Sequence, residues 1–174
     1  MKTMCVAAAN YIIRRTNEYN EGRGYWERIF LTGKRLQKML FFCDAQYMLD
    51  NNGESMFRDE YYAWPSGPVI PSVYYDYMQY QSGEMLPIDE TGHTPLTPEM
   101  KSVIDEVFEA TKEKDTAELI DFSHAEDGPW KKAYEEDDIE HKQLISKSSI
   151  YDYYKQYAEP RGGHIFPVSS CMSA

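Results

Sequence analysis

Residues 57–80, FRDEYYAWPSGPVIPSVYYDYMQY, contain six of the chain's 15 tyrosines and one of its three tryptophans. The segment from Phe57 to Trp64 is rich in aromatic and β-favouring side chains, which predicts a short strand or extended segment. Pro65-Ser66-Gly67-Pro68 then interrupts regular structure, because Ser66-Gly67 favours a turn and the prolines lack amide donors. After Pro71, apolar and aromatic residues recur at helical spacing. We call residues 57–80 the aromatic corner and expect the fold to be organised around it.

Helical patterns dominate the chain on both sides of the aromatic corner. In the clearest of them, Thr32 is a predicted N-cap, apolar residues follow at i, i+3, i+4 and i+7, and Asn51-Asn52-Gly53 end the helix. Other capping signals predict helices that begin near Thr3, Thr97, Asp115, Pro129 and Ser146. We therefore expect a mainly α, compact helical single domain over residues 1–158, with at most a small β-hairpin or extended segment near 57–64. Residues 159–174 are expected to form a flexible C-terminal tail.

Composition limits the classes of protein to which the chain can belong. Its 174 residues, 14% aromatic and 27% charged, suffice for one domain with a substantial core. No apolar run approaches the length of a membrane span, and the N-terminus lacks the pattern of a secretory signal. Three widely separated cysteines without a C-x-x-C motif favour free thiols in a reducing compartment. We therefore expect a cytoplasmic protein.

The net charge of −11 is unevenly distributed along the chain. Residues 1–50 contribute +3, whereas residues 51–100 and 101–174 contribute −7 each. Nucleic-acid phosphates repel an acidic surface, so DNA or RNA is not the expected ligand. A basic protein partner fits better, although acidity most often serves solubility alone. In the second predicted helix, Lys34, Arg35 and Lys38 supply much of the local positive charge, and a solvent-exposed face is the simplest interpretation of them.

Residues that commonly serve catalysis or metal binding form no recognisable arrangement in the sequence. Four histidines are scattered along the chain: His93, His124, His141 and His164. There is no H-E-x-x-H, G-x-S-x-G, phosphate-binding glycine loop or dinucleotide-binding motif. Cys43 occupies a core position of a helix, and the acidic cluster at 135–140 lacks the glycine of a calcium loop. We therefore expect neither a metal nor a cofactor, and the sequence offers an enzymatic function little support.

Two segments stand out, namely AWPSGPVIP at 63–71 and SHAEDGPW at 123–130. Together with LQK at 36–38, and in this order and spacing, they resemble the Panacea domain, a family also described as SocA-like antitoxins or GepA-like phage-associated proteins. The resemblance extends over roughly residues 3–157. Its most specific residues are Leu36, Gln37, Lys38, Ala63, Trp64, Gly67, Pro68, Val69, Ile70, Pro71, His124, Pro129 and Trp130.

The resemblance implies a non-enzymatic protein, the antitoxin of a type II toxin–antitoxin pair, which neutralises a cognate protein toxin by binding it. One branch of the family delivers its toxin to the ClpXP protease as an adaptor. A chain of this length leaves no room for an appended DNA-binding domain, so autoregulation on DNA is not expected, whereas a homodimer is compatible with the sequence. Two alternatives stay open: a phage or mobile-element interaction protein without a toxin, and a hydrolase that uses His124 with Asp121, Glu126 or Asp127.

Aromatic residues on rigid elements dominate the energetics of many interfaces, which makes the aromatic corner the predicted partner-binding site. In this hypothesis Trp64 and Tyr74 anchor a basic toxin, and the carboxylates of Glu60 and Asp76 lie at the rim and steer its approach.

A structural interpretation competes with this hypothesis. Trp64 and Trp130 would then pack together in the core, and Gly67-Pro68 would only turn the chain. His124 would donate a hydrogen bond to a backbone carbonyl, so that replacing it would lower stability without removing a catalytic group.

Overall fold

The computed structural model describes residues 3–80, 86–88 and 95–167. Within these ranges lie seven α-helices, which are α1 (Met4–Asn20), α2 (Gly33–Asp50), α3 (Pro71–Tyr77), α4 (Pro98–Thr111), α5 (Thr116–Ser123), α6 (Pro129–Ala133) and α7 (Lys147–Ala158). Three short strands, β1 (Tyr61–Trp64), β2 (Gly67–Val69) and β3 (Leu144–Ile145), form one antiparallel sheet in the order β2-β1-β3. The prediction of a mainly α fold with a small β element is confirmed.

Local capping signals mark where most of these helices begin. The Thr32 hydroxyl accepts the Arg35 backbone N–H at 3.1 Å, and the Asp115–Glu118 capping box is formed as predicted. Thr97 and Ser146 cap predicted helix starts in the same way, and the predicted start at Pro129 is observed without a side-chain cap, with proline in the first helical turn. Each start depends on residues within one helical turn, which is why the sequence alone was enough to find them.

Helix α2 is the central element of the fold. Thirteen of its eighteen residues are buried, and it packs against α1, α4, α5, α7 and β2. Its sequence suggested a single apolar stripe, but buried side chains lie on all of its sides, as expected for a helix enclosed by neighbours. Five of the buried residues are polar or charged and fasten α2 to the surrounding segments: Arg35, Gln37, Lys38, Asp44 and Gln46.

Two of the three basic residues that the sequence placed on a solvent-exposed face are buried. Arg35 is 4% exposed and Lys38 is 0% exposed, whereas Lys34 is exposed as expected. The Arg35 guanidinium donates to the carbonyls of Thr111 and Lys114 at 3.0 and 2.7 Å. Thr111 is the last residue of α4, where backbone acceptors lack partners inside the helix, and Lys114 lies in the turn that follows. The prediction was wrong for Arg35 and Lys38 because their partners lie far away in the sequence.

The described segment after α7 contributes two side chains to the core. Residues Glu159–Arg161 form a 3₁₀ turn, and Ile165 and Phe166 are only 1% and 8% exposed. Gln46 of α2 holds this segment, because its side chain donates to the Gly163 carbonyl at 3.0 Å and accepts the Ile165 N–H at 2.9 Å. Ile165 and Phe166 therefore pack into the core, residues 159–163 are exposed, and the remainder of the predicted tail, 168–174, lies outside the described residues.

The aromatic corner forms a β-hairpin followed by α3. The strand begins at Tyr61 rather than Phe57, and Trp64 pairs with Gly67 across the turn Pro65-Ser66. Gly67 has a φ of +109°, a conformation that residues with a Cβ rarely adopt. On the other side of β1, Tyr61 pairs with Ile145 of β3, so that β1 is the central strand.

Candidate functional site

The three sequence segments at 36–38, 63–71 and 123–130 meet at one place, which we call the motif junction: Lys38, Gly67, Pro68, His124 and Trp130. The Lys38 ammonium donates to the Pro68 carbonyl at 2.9 Å, and the Trp130 indole N–H donates to the Trp64 carbonyl at 2.8 Å. The rings of His124 and Trp130 stack with centroids 3.6 Å apart. Hydrogen bonds and ring stacking therefore connect α2, the hairpin and the α5–α6 region directly.

Gly67 is required at the junction by space as well as by backbone conformation. A Cβ on this residue would lie 2.7 Å from Lys38 Cε and 2.7 Å from Ser123 Oγ, closer than real Cβ contacts allow. The hairpin can approach α2 and α5 this closely only because the residue has no side chain.

Lys38 is the most unusual group of the junction. It is fully buried, and the ion pairs found among the described residues do not include it. Burial lowers its pKa from 10.5 to about 7, and the positive charge of Lys34 contributes in the same direction. Near neutral pH a large fraction of Lys38 is therefore uncharged, which makes its burial less costly.

His124 closes the junction by stacking rather than by hydrogen bonding. Its ring lies within 7° of parallel to Trp130, and its buried Nε2 has no hydrogen-bond partner among the described residues. The expected bond to a backbone carbonyl is thus not formed by this nitrogen. Burial, followed by the positive charge of Lys38, lowers the pKa of His124, which favours the neutral imidazole.

A groove of about 650 Å³ lies beside the junction, between the N-terminus of α2, the hairpin turn and α3. The aromatic residues among those that line it are Trp64, Tyr74, Tyr77 and Tyr80. Trp64 is fixed in place, because its indole N–H donates to the His141 carbonyl at 3.1 Å and its ring contacts that of Tyr74 edge-on at 4.8 Å. The groove therefore has a rigid aromatic wall.

The charge of the groove differs from that of the whole protein. Its described lining includes the exposed Lys34 and the buried Lys38 but no aspartate or glutamate, although the chain has a net charge of −11. Of the two lysines, only Lys34 presents its charge to a partner. Glu60 and Asp76, which the sequence suggested as an acidic rim, are exposed but are not among the described residues of the lining.

The residues predicted for partner binding divide by exposure. Six of them are buried: Lys38, Gly67, Pro68, Val69, Pro129 and Trp130. Three are partly buried: Trp64, Pro71 and His124. Three are exposed: Glu60, Tyr74 and Asp76. A partner does not reach the first group in this conformation, so the accessible part of the site is the groove, whose lining includes the exposed Met78, together with the exposed Tyr75.

An exposed aromatic group on the α1–α2 connection was not predicted from the sequence. We call residues 23–30 the aromatic knob, in which Tyr25, Trp26 and Phe30 are 62%, 91% and 38% exposed. The sequence feature that could have indicated this group is the presence of three aromatic residues in the short stretch YWERIF, next to a predicted loop.

Catalytic or metal-binding clusters are not evident in the part of the chain that the structure describes. No group of three or more histidine, cysteine, aspartate or glutamate side chains there is arranged to hold a metal ion. Cys5 and Cys43 are buried, and burial raises the pKa of both thiols, which disfavours the nucleophilic thiolate. Within the described ranges no helix combines the length and the apolar character needed to cross a membrane.

Comparison with protein families gives a match over residues 36–131 to the model described as "Antitoxin SocA-like, Panacea domain". The matched range contains α2 from Leu36 onward, the hairpin, α3 to α5 and the start of α6, and therefore the whole motif junction. The aromatic knob lies before it. Neither the curated proteins nor the solved structures contain a significant match to the chain.

Proposed function

Because the chain belongs to the SocA-like antitoxin family with a Panacea domain, we propose that it is the antitoxin of a type II toxin–antitoxin pair. It neutralises a cognate protein toxin in the cytoplasm by binding it directly. The toxin occupies the groove beside the motif junction and is inactivated because its working surface is covered.

The observation that supports this proposal is the rigid aromatic groove. Aromatic side chains on elements that are already ordered before binding contribute much binding energy, because little conformational entropy is lost when the partner binds. Met78, which lines the groove, is 56% exposed, and Tyr75, at 62% exposed, extends the apolar surface beyond it. Contiguous exposed apolar patches are typical of surfaces that bind a protein or a ligand.

The motif junction has a supporting role in this proposal. Lys38 and Trp130 hold the hairpin against α2 and α6 through backbone carbonyls, and the hairpin carries Trp64. The family motif would then preserve the shape of the groove, while the residues on its surface select the toxin. Delivery of the toxin to ClpXP and self-association of the chain would each require a binding surface in addition to the groove.

The proposal is tested with the protein encoded by the neighbouring reading frame. Met78→Asp places a charge on an exposed residue that lines the groove, and Ile139→Asp, at a residue 87% exposed and outside it, is the matched control. We expect Met78→Asp to abolish rescue of growth and to weaken binding about 30-fold or more, whereas the control leaves both unchanged.

Circular dichroism of both variants checks that they remain folded. If the wild-type chain neither binds this protein nor restores growth, the antitoxin function is wrong. If Met78→Asp binds and rescues like the wild type, the toxin binds somewhere other than the groove.

A further inference from the structure

The aromatic knob presents the most exposed large apolar side chain of the described residues, Trp26 at 91% exposed. The Tyr25 ring contacts those of Trp26 and Phe30 edge-on, with centroids 5.1 Å apart in both pairs. Tryptophan side chains are usually well buried, so an almost fully exposed indole ring suggests a binding role.

The knob is held in this position from both sides. The Asn20 side chain exchanges two hydrogen bonds with the backbone of Ile29, at 2.8 and 2.7 Å. Arg23 donates to the Tyr19 carbonyl at 2.7 Å and lies 3.9 Å above the Tyr19 ring. Arg28 in turn donates to the Arg23 carbonyl at 2.8 Å. The connection is therefore a fixed loop, and its tryptophan would lose little freedom on binding.

The knob and the groove are neighbours on the surface. Thr116 lines the groove and also lines a second cavity, of about 420 Å³, together with Trp26 and Phe30. A single partner that fills the groove can therefore also contact the knob, since a standard interface buries about 800 Å² on each side.

The charge balance of this face differs from that of the acidic chain, because basic residues slightly outnumber acidic ones there. The charged residues that line the second cavity are Arg28, Arg35, Lys112 and Lys114 against Glu27, Glu113 and Asp115. Arg23 and Lys34 add two exposed positive charges beside it. The one carboxylate of the knob, that of Glu27, accepts the Gly24 backbone N–H at 3.2 Å. A face of this composition is complementary to an apolar cleft bordered by carboxylates.

We propose that Trp26 is a principal anchor for the partner, and that it enters an apolar cleft with aspartate or glutamate side chains at its rim. This inference rests on the proposed function, because the cleft belongs to the same toxin that fills the groove. It specifies a partner whose contact surface is acidic, whereas the sequence suggested a basic partner steered by Glu60 and Asp76. The knob lies outside the range matched by the family, 36–131, so it would contribute specificity that the family motif does not encode.

The decisive measurement is the binding kinetics of the full chain with the protein encoded by the neighbouring reading frame. We expect Trp26→Ala to weaken binding about 30-fold or more, mainly through faster dissociation, without a change in the melting temperature. Ile139→Ala removes an apolar side chain that is 87% exposed elsewhere and serves as the matched control, with no expected effect.

The sign of the partner's surface is tested by charge reversal at low and high salt. Lys34→Glu is expected to slow association several-fold at about 20 mM salt and to lose most of this effect at about 500 mM. The double variant Glu60→Lys and Asp76→Lys should leave association unchanged or faster. If the double variant alone slows it, the partner's surface is basic and the acidic cleft is wrong.

The two proposals fail separately in this design. If Trp26→Ala binds like the wild type while Met78→Asp does not bind, the knob is not an anchor and the groove function stands. If both variants bind like the wild type, neither surface is the docking site. If the wild-type chain does not bind this protein at all, both the proposed function and this inference are wrong.

Discussion

The motif junction and the aromatic knob each contain a tryptophan, and they hold it in opposite ways. Trp130 is 4% exposed, its ring lies against those of His124 and Tyr134, and its indole N–H is bonded to a carbonyl. Trp26 is 91% exposed, and the hydrogen bonds of its loop involve neighbouring residues. The hydrogen bonds and ring contacts of the junction join three segments of the chain, whereas those of the knob leave a large apolar side chain exposed. In this chain, the motif that identifies the family therefore joins segments of the fold, whereas the knob leaves a large aromatic side chain exposed.

Gly67→Ala should have the largest effect on stability and would show how far the junction depends on close packing. The added Cβ meets Lys38 and Ser123 at 2.7 Å in a backbone conformation with φ of +109°. We expect the free energy of unfolding in urea to fall by roughly 3–5 kcal/mol, from strain and overpacking together.

Gly22→Ala is the matched control for this experiment. Gly22 also has a positive φ, +75°, but no atom lies within 4 Å of its added Cβ. A loss of only about 1–2 kcal/mol is expected, since backbone strain alone remains. Equal losses for the two variants would mean that the approach of the hairpin to Lys38 is not tight.

The lowered pKa of Lys38 leads us to expect that the stability of the protein depends on pH. Because burial lowers the pKa of folded Lys38 to about 7 from 10.5, the unfolded chain binds more protons between these values. The free energy of unfolding should therefore rise with pH, by roughly 1–2 kcal/mol between about pH 7 and 8.5. In Lys38→Met this rise should disappear, and urea unfolding at several pH values would reveal it. Parallel curves for the two proteins would contradict a neutral buried lysine.

His124→Gln should have a smaller effect, because the wild-type ring has no hydrogen bond through Nε2 to lose. We expect a loss of about 1 kcal/mol from the missing stack on Trp130, and His124→Phe should recover most of it. Toxin neutralisation should survive in both variants. A stable His124→Gln protein without any activity would instead favour the hydrolase that the sequence left open.

Trp26→Ala should have the smallest effect on folding. Its stability loss, compared with that of Trp130→Ala, measures how differently the knob and the junction hold their tryptophans. Since its side chain is 91% exposed, the free energy of unfolding should change by less than about 0.5 kcal/mol. Trp130→Ala, measured beside it, should lose about 3–5 kcal/mol. Comparable losses for both tryptophans would mean that the knob packs against the fold in solution.

The parts of this fold that the sequence predicted are those with local causes. The helix starts at Thr32, Asp115 and Ser146 depend on hydrogen bonds within one turn, and all three were found. Strand β3 has only two residues and pairs with a strand far away in the chain, so no periodic pattern marks it.

The candidate site was predictable to a lesser degree. The sequence singled out Trp64 and Trp130 but could not distinguish a groove wall from a core residue, because both roles use the same side chain. It could not show that Lys38 is buried, since its acceptor is a carbonyl thirty positions away. The exposure of Trp26 depends on a loop held by Asn20 and Arg23, whose partners follow from the three-dimensional arrangement.

The central position of β1 has a consequence for synthesis on the ribosome. Tyr61 pairs with Ile145, and the Trp64 indole N–H is held by the His141 carbonyl. At about 5–20 residues per second, these partners emerge roughly 4–16 s after the hairpin has been made. A nascent chain therefore lacks the finished wall of the groove until Ile145 has been synthesised. If the chain is an antitoxin, its production must begin at least that far ahead of the toxin for the cell to be protected.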